Sequence, residues 1–290
     1  MWVGSDRSIQ HINQKNGNVI KKYNGRDGLP NSRITALYNH KDRYVWIGTE
    51  ESGIFQLNQN TKRIQKIHIS SKELENSINY ITGDSSNIWV ATKKGICHIH
   101  LKNYQKTWYN TNKGLPHNNI THLYISSKDR ILVGTLSNKL FAINRDGQVK
   151  KIPINTAEGL IQINSVTEDQ SGNIWICTYG KGVFKIEKDT TLNFTRKTGL
   201  LSDYGYSLIS VKNHIFFSHH RGISDIDTKT HTIKTYENNY GIKSSTEFFI
   251  NAGFVDAGNK IWFGTSEGII RLSAEKTPKD KIPPKLNITD

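Results

Sequence analysis

A chain of 290 residues, 35% hydrophobic and 22% charged, is long enough for one large domain or two ordinary ones and carries enough apolar side chains for a substantial core. No run of about 18 apolar residues occurs, and the start MWVGSDRSIQ lacks a basic stretch followed by an apolar one, so neither a membrane span nor a secretory leader is expected within these residues. The 39 basic and 25 acidic side chains give a formal charge of +14, but 29 of the cations are Lys, only 10 are Arg, and they are scattered, which reads as solvated surface rather than a nucleic-acid footprint.

Sliding the sequence against itself exposes a repeat. A segment of the form W-[IV]-G-T-x-x-G-[IF] recurs from Trp2, Trp46, Trp89, Leu132, Trp175, Phe216 and Trp262, seven copies separated by 44, 43, 43, 43, 41 and 46 residues. Taking the second copy in chain order, the connector DGLPNS leads into a strand-like stretch from Arg33 to Tyr38, then the turn HKDR, the anchor strand at Trp46, a third strand from Gly53 to Asn58 and a fourth from Arg63 to Ile69. The same order returns with GDSSN before Trp89, KGLPHN and a strand over Asn119 to Ile125 before Leu132, and DQSGN before Trp175 with a third strand from Gly182 to Ile186. It returns again with TGLLSD before Phe216 and with YGIKSS and DAGN before Trp262.

Four short strands in a unit of about 43 residues, with no helical period, predict an all-β protein, a seven-bladed β-propeller with four antiparallel strands per blade. The anchors Trp2, Trp46, Trp89, Leu132, Trp175, Phe216 and Trp262 are expected to be buried between sheets. Thr49, Thr92, Thr135, Thr178 and Thr265 end the anchor strand, where their hydroxyls suit turn backbone as well as any ligand. Trp2 begins at a second strand, so the first blade is expected to be incomplete at the N-terminus, and the last runs out after its third strand at Leu272. The propeller then occupies 1–273. Residues 274–290 are a Lys- and Pro-rich linker leading to a closing strand or another β-module. Cys97 and Cys177 fall in different blades and predict two buried free thiols rather than a disulfide or a metal site.

With G-L-P-x-[NS]-x-[IV] followed by D-x-x-[GN]-x-[IL]-W-[IV]-G-T-x-x-G-[IL] in register, the chain resembles the two-component regulator propeller repeat over residues 1 to about 273, and IPPKLNITD resembles the start of the immunoglobulin-like module that follows such propellers. The resemblance implies the extracytoplasmic (periplasmic or extracellular) sensor region of a hybrid histidine kinase of Bacteroidetes type that detects glycan fragments. Its partners would be an oligosaccharide ligand, the adjacent immunoglobulin-like and kinase parts of a longer chain, and a second copy in a homodimer. It carries no catalytic motif to transfer, and no cofactor, nucleic acid or membrane contact is expected of this segment.

Blade 6 breaks the repeat most: W-x-G-T becomes Phe216-Phe217-Ser218-His219, followed by His220 and Arg221, and its leading loop carries Asp203, Tyr204 and Tyr206. Blade 5 adds Tyr179 and Lys181. Aromatic planes beside cationic and imidazole donors suit a sugar ring and an acidic substituent, so Tyr179, Lys181, Tyr204, Tyr206, His219, His220 and Arg221 form the candidate ligand site. The same enrichment marks protein interfaces, so an interaction or dimerisation propeller is the main alternative. A polysaccharide-active enzyme is the third reading, weakened by the scarcity of carboxylates on these loops beyond Asp203 and Glu247. Adjacent His219 and His220 point apart and do not predict a shared metal ion.

Overall fold

The computed structural model describes residues 1–137, 139–154, 162–237 and 240–273. Short apolar runs punctuated by Asp-, Asn- and Gly-bearing turns fold into consecutive antiparallel hairpins, since connections this short close only antiparallel pairs. Among the described residues 26 strands form seven sheets, and the fold is a seven-bladed β-propeller. Blade 1 holds three strands, Trp2–Gly4, Ile9–Ile12 and Val19–Tyr23. Blades 2 to 6 hold four each, as in Ile34–His40, Tyr44–Thr49, Ile54–Asn58 and Ile64–Ile67 of blade 2. Blade 7 shows three, Phe248–Val255, Lys260–Thr265 and Gly268–Ser273. Helix among the described residues is confined to single 3-10 turns. The expected linker or module at 274–290 lies outside the described residues. Contacts divide the chain into two compact units, one with blades 1 to 3 and most of blade 4, the other with blades 5 to 7.

Within each unit the core lies between successive sheets. Trp46 packs with Ala36, Ile81, Ile88 and Val90 between blades 2 and 3, and Trp175 packs with Leu208, Ile215 and Phe217 between blades 5 and 6. Six of the seven anchors are buried, from Trp46, Leu132 and Trp175 at 0% to Trp89 at 8%. Trp2 is the correction: it is half-buried, packed against the cluster of blades 1 and 2 while its ring lies stacked on His11 at 4.6 Å.

Every anchor faces one residue across the hairpin, and the choice of that residue follows the ring. Opposite Trp2, Trp46, Trp89, Trp175 and Trp262 stand His11, Gln56, His98, Lys185 and Arg271, whereas Leu132 faces Ala142. Indole faces take flat or cationic neighbours: His98 stacks on Trp89 at 3.8 Å, and Lys185 and Arg271 lie 5.6 and 5.3 Å from the ring centres of Trp175 and Trp262. Indole N–H groups are served from the preceding turn. In blades 5 and 7 the carboxylates of Asp169 and Asp256 accept from Trp175 and Trp262 Nε1, both at 2.9 Å. Blade 2 has His40 at the same register, opposite Tyr44 as Asp169 is opposite Asn173, and there Trp46 Nε1 has no partner among the described residues.

The G-L connector is also a packing device. Asn24, Asn110 and Thr195 cap a 3-10 turn through their side chains, and Gly28, Gly114 and Gly199 close it at φ +102°, +88° and +114°, a conformation that costs other residues strain. The turn delivers Leu29, Leu115 and Leu200, all buried, into the gap between the blades on either side.

Seven of the lysines lie on the sheet edges. In five of the first six blades the last strand carries Lys: Lys21 and Lys22, Lys66, Lys106, Lys150 and Lys151, and Lys234. An open edge presents unpaired backbone groups, and lysine there opposes pairing with another chain. Cys97 and Cys177 are buried free thiols; burial pushes the Cys97 thiol up to about 12 and raises that of Cys177 further, which keeps both protonated.

Candidate functional site

The site residues belong to blades 5 and 6 and are placed by the loop after each anchor strand. In blades 2, 3, 5 and 7 the terminal threonine fixes that loop twice. The hydroxyls of Thr49, Thr92, Thr178 and Thr265 donate to the carbonyls of Gly53, Gly95, Gly182 and Gly268 at 2.7, 3.0, 2.9 and 3.0 Å. They accept from the N–H of Ser52, Lys94, Lys181 and Glu267 at 3.1, 3.0, 3.1 and 3.3 Å.

Blade 6 does the same with a histidine. His219 is 0% exposed, its Nδ1 accepts from Arg221 N–H at 3.2 Å, and its Nε2 lies 3.0 Å from Ser224 Oγ. An acceptor at Nδ1 leaves the proton on Nε2, donating to the serine. Burial, with the charges of His220 and Arg221, lowers the pKa of His219 to about 3, so the ring stays neutral. His219 therefore replaces the turn threonine and leaves the ligand site. Its proton also points at Ser224, the wrong way round to activate that hydroxyl as a nucleophile.

The remaining six residues come together around one loop contact. Gly180 N–H and Gly182 N–H both donate to Asp203 O, at 3.0 and 2.8 Å, which fastens the blade 5 loop to the loop leading into blade 6. Asp203 is thereby structural, its carboxylate accepting from Arg196 N–H at 2.7 Å. Tyr179 and Tyr204 pair across this contact with ring centres 5.0 Å apart at 80°, yet remain 54% and 45% exposed. His220 sits edge-on to Tyr204 at 6.1 Å. Its orientation is set by buried Ser202, whose Oγ accepts Tyr204 N–H at 3.0 Å and lies 3.0 Å from His220 Nδ1. With Nδ1 held by Ser202, exposed His220 turns its Nε2 to solvent. Tyr206 is half-buried beneath; burial raises its pKa, reinforced by Tyr179 and the Glu247 carboxylate. Lys181 and Arg221 are exposed, and among the described residues neither has an acidic partner. The result is two aromatic faces, one imidazole edge and two cations without acidic partners among the described residues on one open surface, a set suited to a flat polyhydroxylated or anionic ligand.

Among the described residues no group of three or more His, Cys, Asp or Glu side chains is placed to hold a metal ion, and no helix is long and apolar enough to cross a membrane. Sequence reasoning passed over Ser202, which has no signal of its own, and blade 7, whose 46-residue spacing is the longest of the series.

The model of the two component regulator propeller family matches residues 28–51 and 160–180, which are the connector, turn and anchor segments of blades 2 and 5, and the chain carries two-component regulator propeller repeats. Histidine kinase P4 of Formosa agariphila is 22% identical over 298 residues, covering 100% of this chain and 19% of the kinase. The extracellular domain of a hybrid two component system from B. thetaiotaomicron superposes with a TM-score of 0.79 at 23% identity, covering 94% of this chain and 37% of that one. Virginiamycin B lyase from Staphylococcus aureus superposes at 0.72 with 17% identity, covering 90% and 86%. At these identities the superpositions establish the propeller fold. The chain spans well under half the length of the kinase and of the two component domain.

Proposed function

We propose that this propeller is the non-catalytic, ligand-sensing part of an extracytoplasmic two-component receptor, and that it binds glycan fragments, acidic ones included, on the loop surface of blades 5 and 6. The observation that carries this reading is the cluster of exposed Tyr179 and Tyr204 with His220 Nε2 and with Lys181 and Arg221, which have no acidic partner among the described residues. The regulator repeats and the likeness to a two component extracellular domain support the sensor role and its placement outside the cytoplasm. The kinase and immunoglobulin-like parts, and a second copy of the receptor, are the expected partners. The likeness to a lyase keeps catalysis as the competing reading, and the proton placement on His219 argues against a serine nucleophile at this end of blade 6.

Calorimetric titration with a galacturonate trisaccharide and its neutral counterpart tests the proposal. A ligand at 100 times its Kd should stabilise the fold by about 2.7 kcal/mol, and Tyr204→Ala with Arg221→Ala should abolish that shift without moving the unliganded Tm by more than a few degrees. Added salt should weaken the acidic ligand and spare the neutral one. Absence of binding by either sugar would leave the interaction propeller as the better reading, and product formation would make it an enzyme.

A further inference from the structure

The first strand of each blade is interrupted near its start. In blades 2 to 6 the register skips one residue, at Thr35, Asn79, Thr121, Asn164 and Tyr206. Four of these five are Thr or Asn. Blade 7 differs in size and chemistry. Phe248 pairs with Thr265 and Gly253 with Phe263, while Ala252 lies against Gly264, so Phe249, Ile250 and Asn251 form a three-residue excursion where the other blades have one. These two extra residues account for the long spacing to Trp262. Phe249 and Ile250 are 50% and 46% exposed, and Asn251 takes φ +60° to turn the chain back. Bulges re-aim side chains and gather beside functional sites.

The excursion is rooted at the candidate site. Phe248, immediately before it, shares a core cluster with Tyr206, and Glu247 is close enough to shift the Tyr206 hydroxyl. Cα atoms of the first strand of blade 7 approach within 8 Å of the first strand of blade 5, although blade 6 stands between them in sequence. The apolar pair therefore starts one residue beyond Phe248, at the end of the strand that packs with Tyr206. We propose that Phe249 and Ile250 form an apolar subsite adjoining the blade 5 and 6 surface, and that the ligand is an amphipathic anion: a saccharide acid bearing an aryl or acyl group. The anionic end meets Lys181 and Arg221, the ring lies by Tyr179 and Tyr204, and the apolar group covers Phe249 and Ile250. This occupant follows from the juxtaposition of unpaired cations with an exposed apolar pair, which neither a purely polar sugar nor a neutral lipid would match. The inference rests on the ligand-binding reading above and adds the apolar half.

Titration with methyl β-D-glucuronide and benzyl β-D-glucuronide tests it. The benzyl compound should bind about tenfold tighter, the gain that covering about 50 Å² of apolar surface provides. Phe249→Ser with Ile250→Ser should erase that advantage and leave the methyl compound unaffected, while Arg221→Gln should weaken both. Equal affinities in the unaltered protein, or an advantage that survives the double substitution, overturns the subsite. Should neither glucuronide bind, fluorescence of 1-anilinonaphthalene-8-sulfonate, an amphipathic anion that is no sugar, separates the two ideas. Binding lost on both Phe249→Ser/Ile250→Ser and Arg221→Gln retains the subsite and rejects only the glycan, whereas binding that ignores these residues, or no binding, rejects the subsite. Thermal unfolding of each variant confirms that these exposed substitutions leave the fold intact.

Discussion

Replacing His40 with Asp should stabilise the protein. Asp169 and Asp256 each hold a tryptophan indole at 2.9 Å from the turn before the anchor strand, and Trp46, wholly buried, lacks that acceptor because His40 stands in its place. A hydrogen bond to a charged acceptor contributes about 1.5–3 kcal/mol, from which carboxylate desolvation and the loss of the His40 contact with Tyr38 must be subtracted. The turn supplies less than in the other blades. There the third turn residue is left-handed, Gly172 at φ +75° and Asn259 at +56°, whereas here Lys41 and Asp42 take φ +50° and +52°, so the second carboxylate oxygen does not inherit the amide bonds that Asp169 receives from Ser171 and Asn173. The expected net gain is about 1 kcal/mol, a rise in Tm of about 2–4 °C in thermal unfolding followed by circular dichroism. His40→Asn should give a smaller rise. The pH dependence is a second signature. At Asp256 burial would raise the pKa, but bonds from the Trp262 indole and the Lys260 and Gly258 amides hold it below the usual carboxylate range. An Asp at 40 held by the Trp46 indole alone is lowered less, and it too contributes above the unfolded value of about 4 and loses its contribution as pH falls through the folded value. A Trp46 indole N–H that exchanges with solvent as fast in the variant as in the parent would refute the reasoning, whatever Tm does.

Acid should destabilise the fold well before the carboxylates titrate. Burial lowers the pKa of His122 and His219 to about 3, below the unfolded value of about 6.5, so each favours the folded state above that value and loses its contribution as pH falls toward 3, at up to about 1.4 kcal/mol per pH unit. Denaturant midpoints between pH 7 and 4 should show this slope, and His122→Phe should flatten it; an unchanged slope counts against the assignment. Gly205→Ala should be severe, because a Cβ there would lie 2.2 Å from Phe217 Cε2 and 2.9 Å from Cys177 Cβ between Tyr204 and Tyr206. A loss of more than about 3 kcal/mol in urea unfolding is expected, and a near-neutral result would contradict the packing.

The sequence carried the architecture because a repeat states each rule seven times. Blade limits, the buried anchors and the free thiols all follow from positions that recur, and Trp2 departs in a sheet that shows three strands among the described residues. The site was half legible. Tyr179, Tyr204, His220, Lys181 and Arg221 do converge, since loops at equivalent positions emerge together. His219 misled because its change from threonine looks chemical in a string of letters, while its geometry shows a hydrogen-bond substitution. Phe249 and Ile250 were hidden inside a strand that reads as ordinary apolar sequence, and only the two surplus residues before Trp262 hinted at them.

The lysines on the last strands bear on how such a protein can grow or change. A sheet protein assembled from repeats multiplies its open margins with every repeat, so part of its positive charge answers to architecture and is indifferent to what the loops bind. Surface redesign that neutralised those lysines to suit an acidic buffer or a basic partner would uncover five strand margins at once, and acetylation of them would leave the same margins open to templating by another copy of the chain. The blade 5 margin, Thr191–Phe194, has no lysine at all, and it is where such templating would begin.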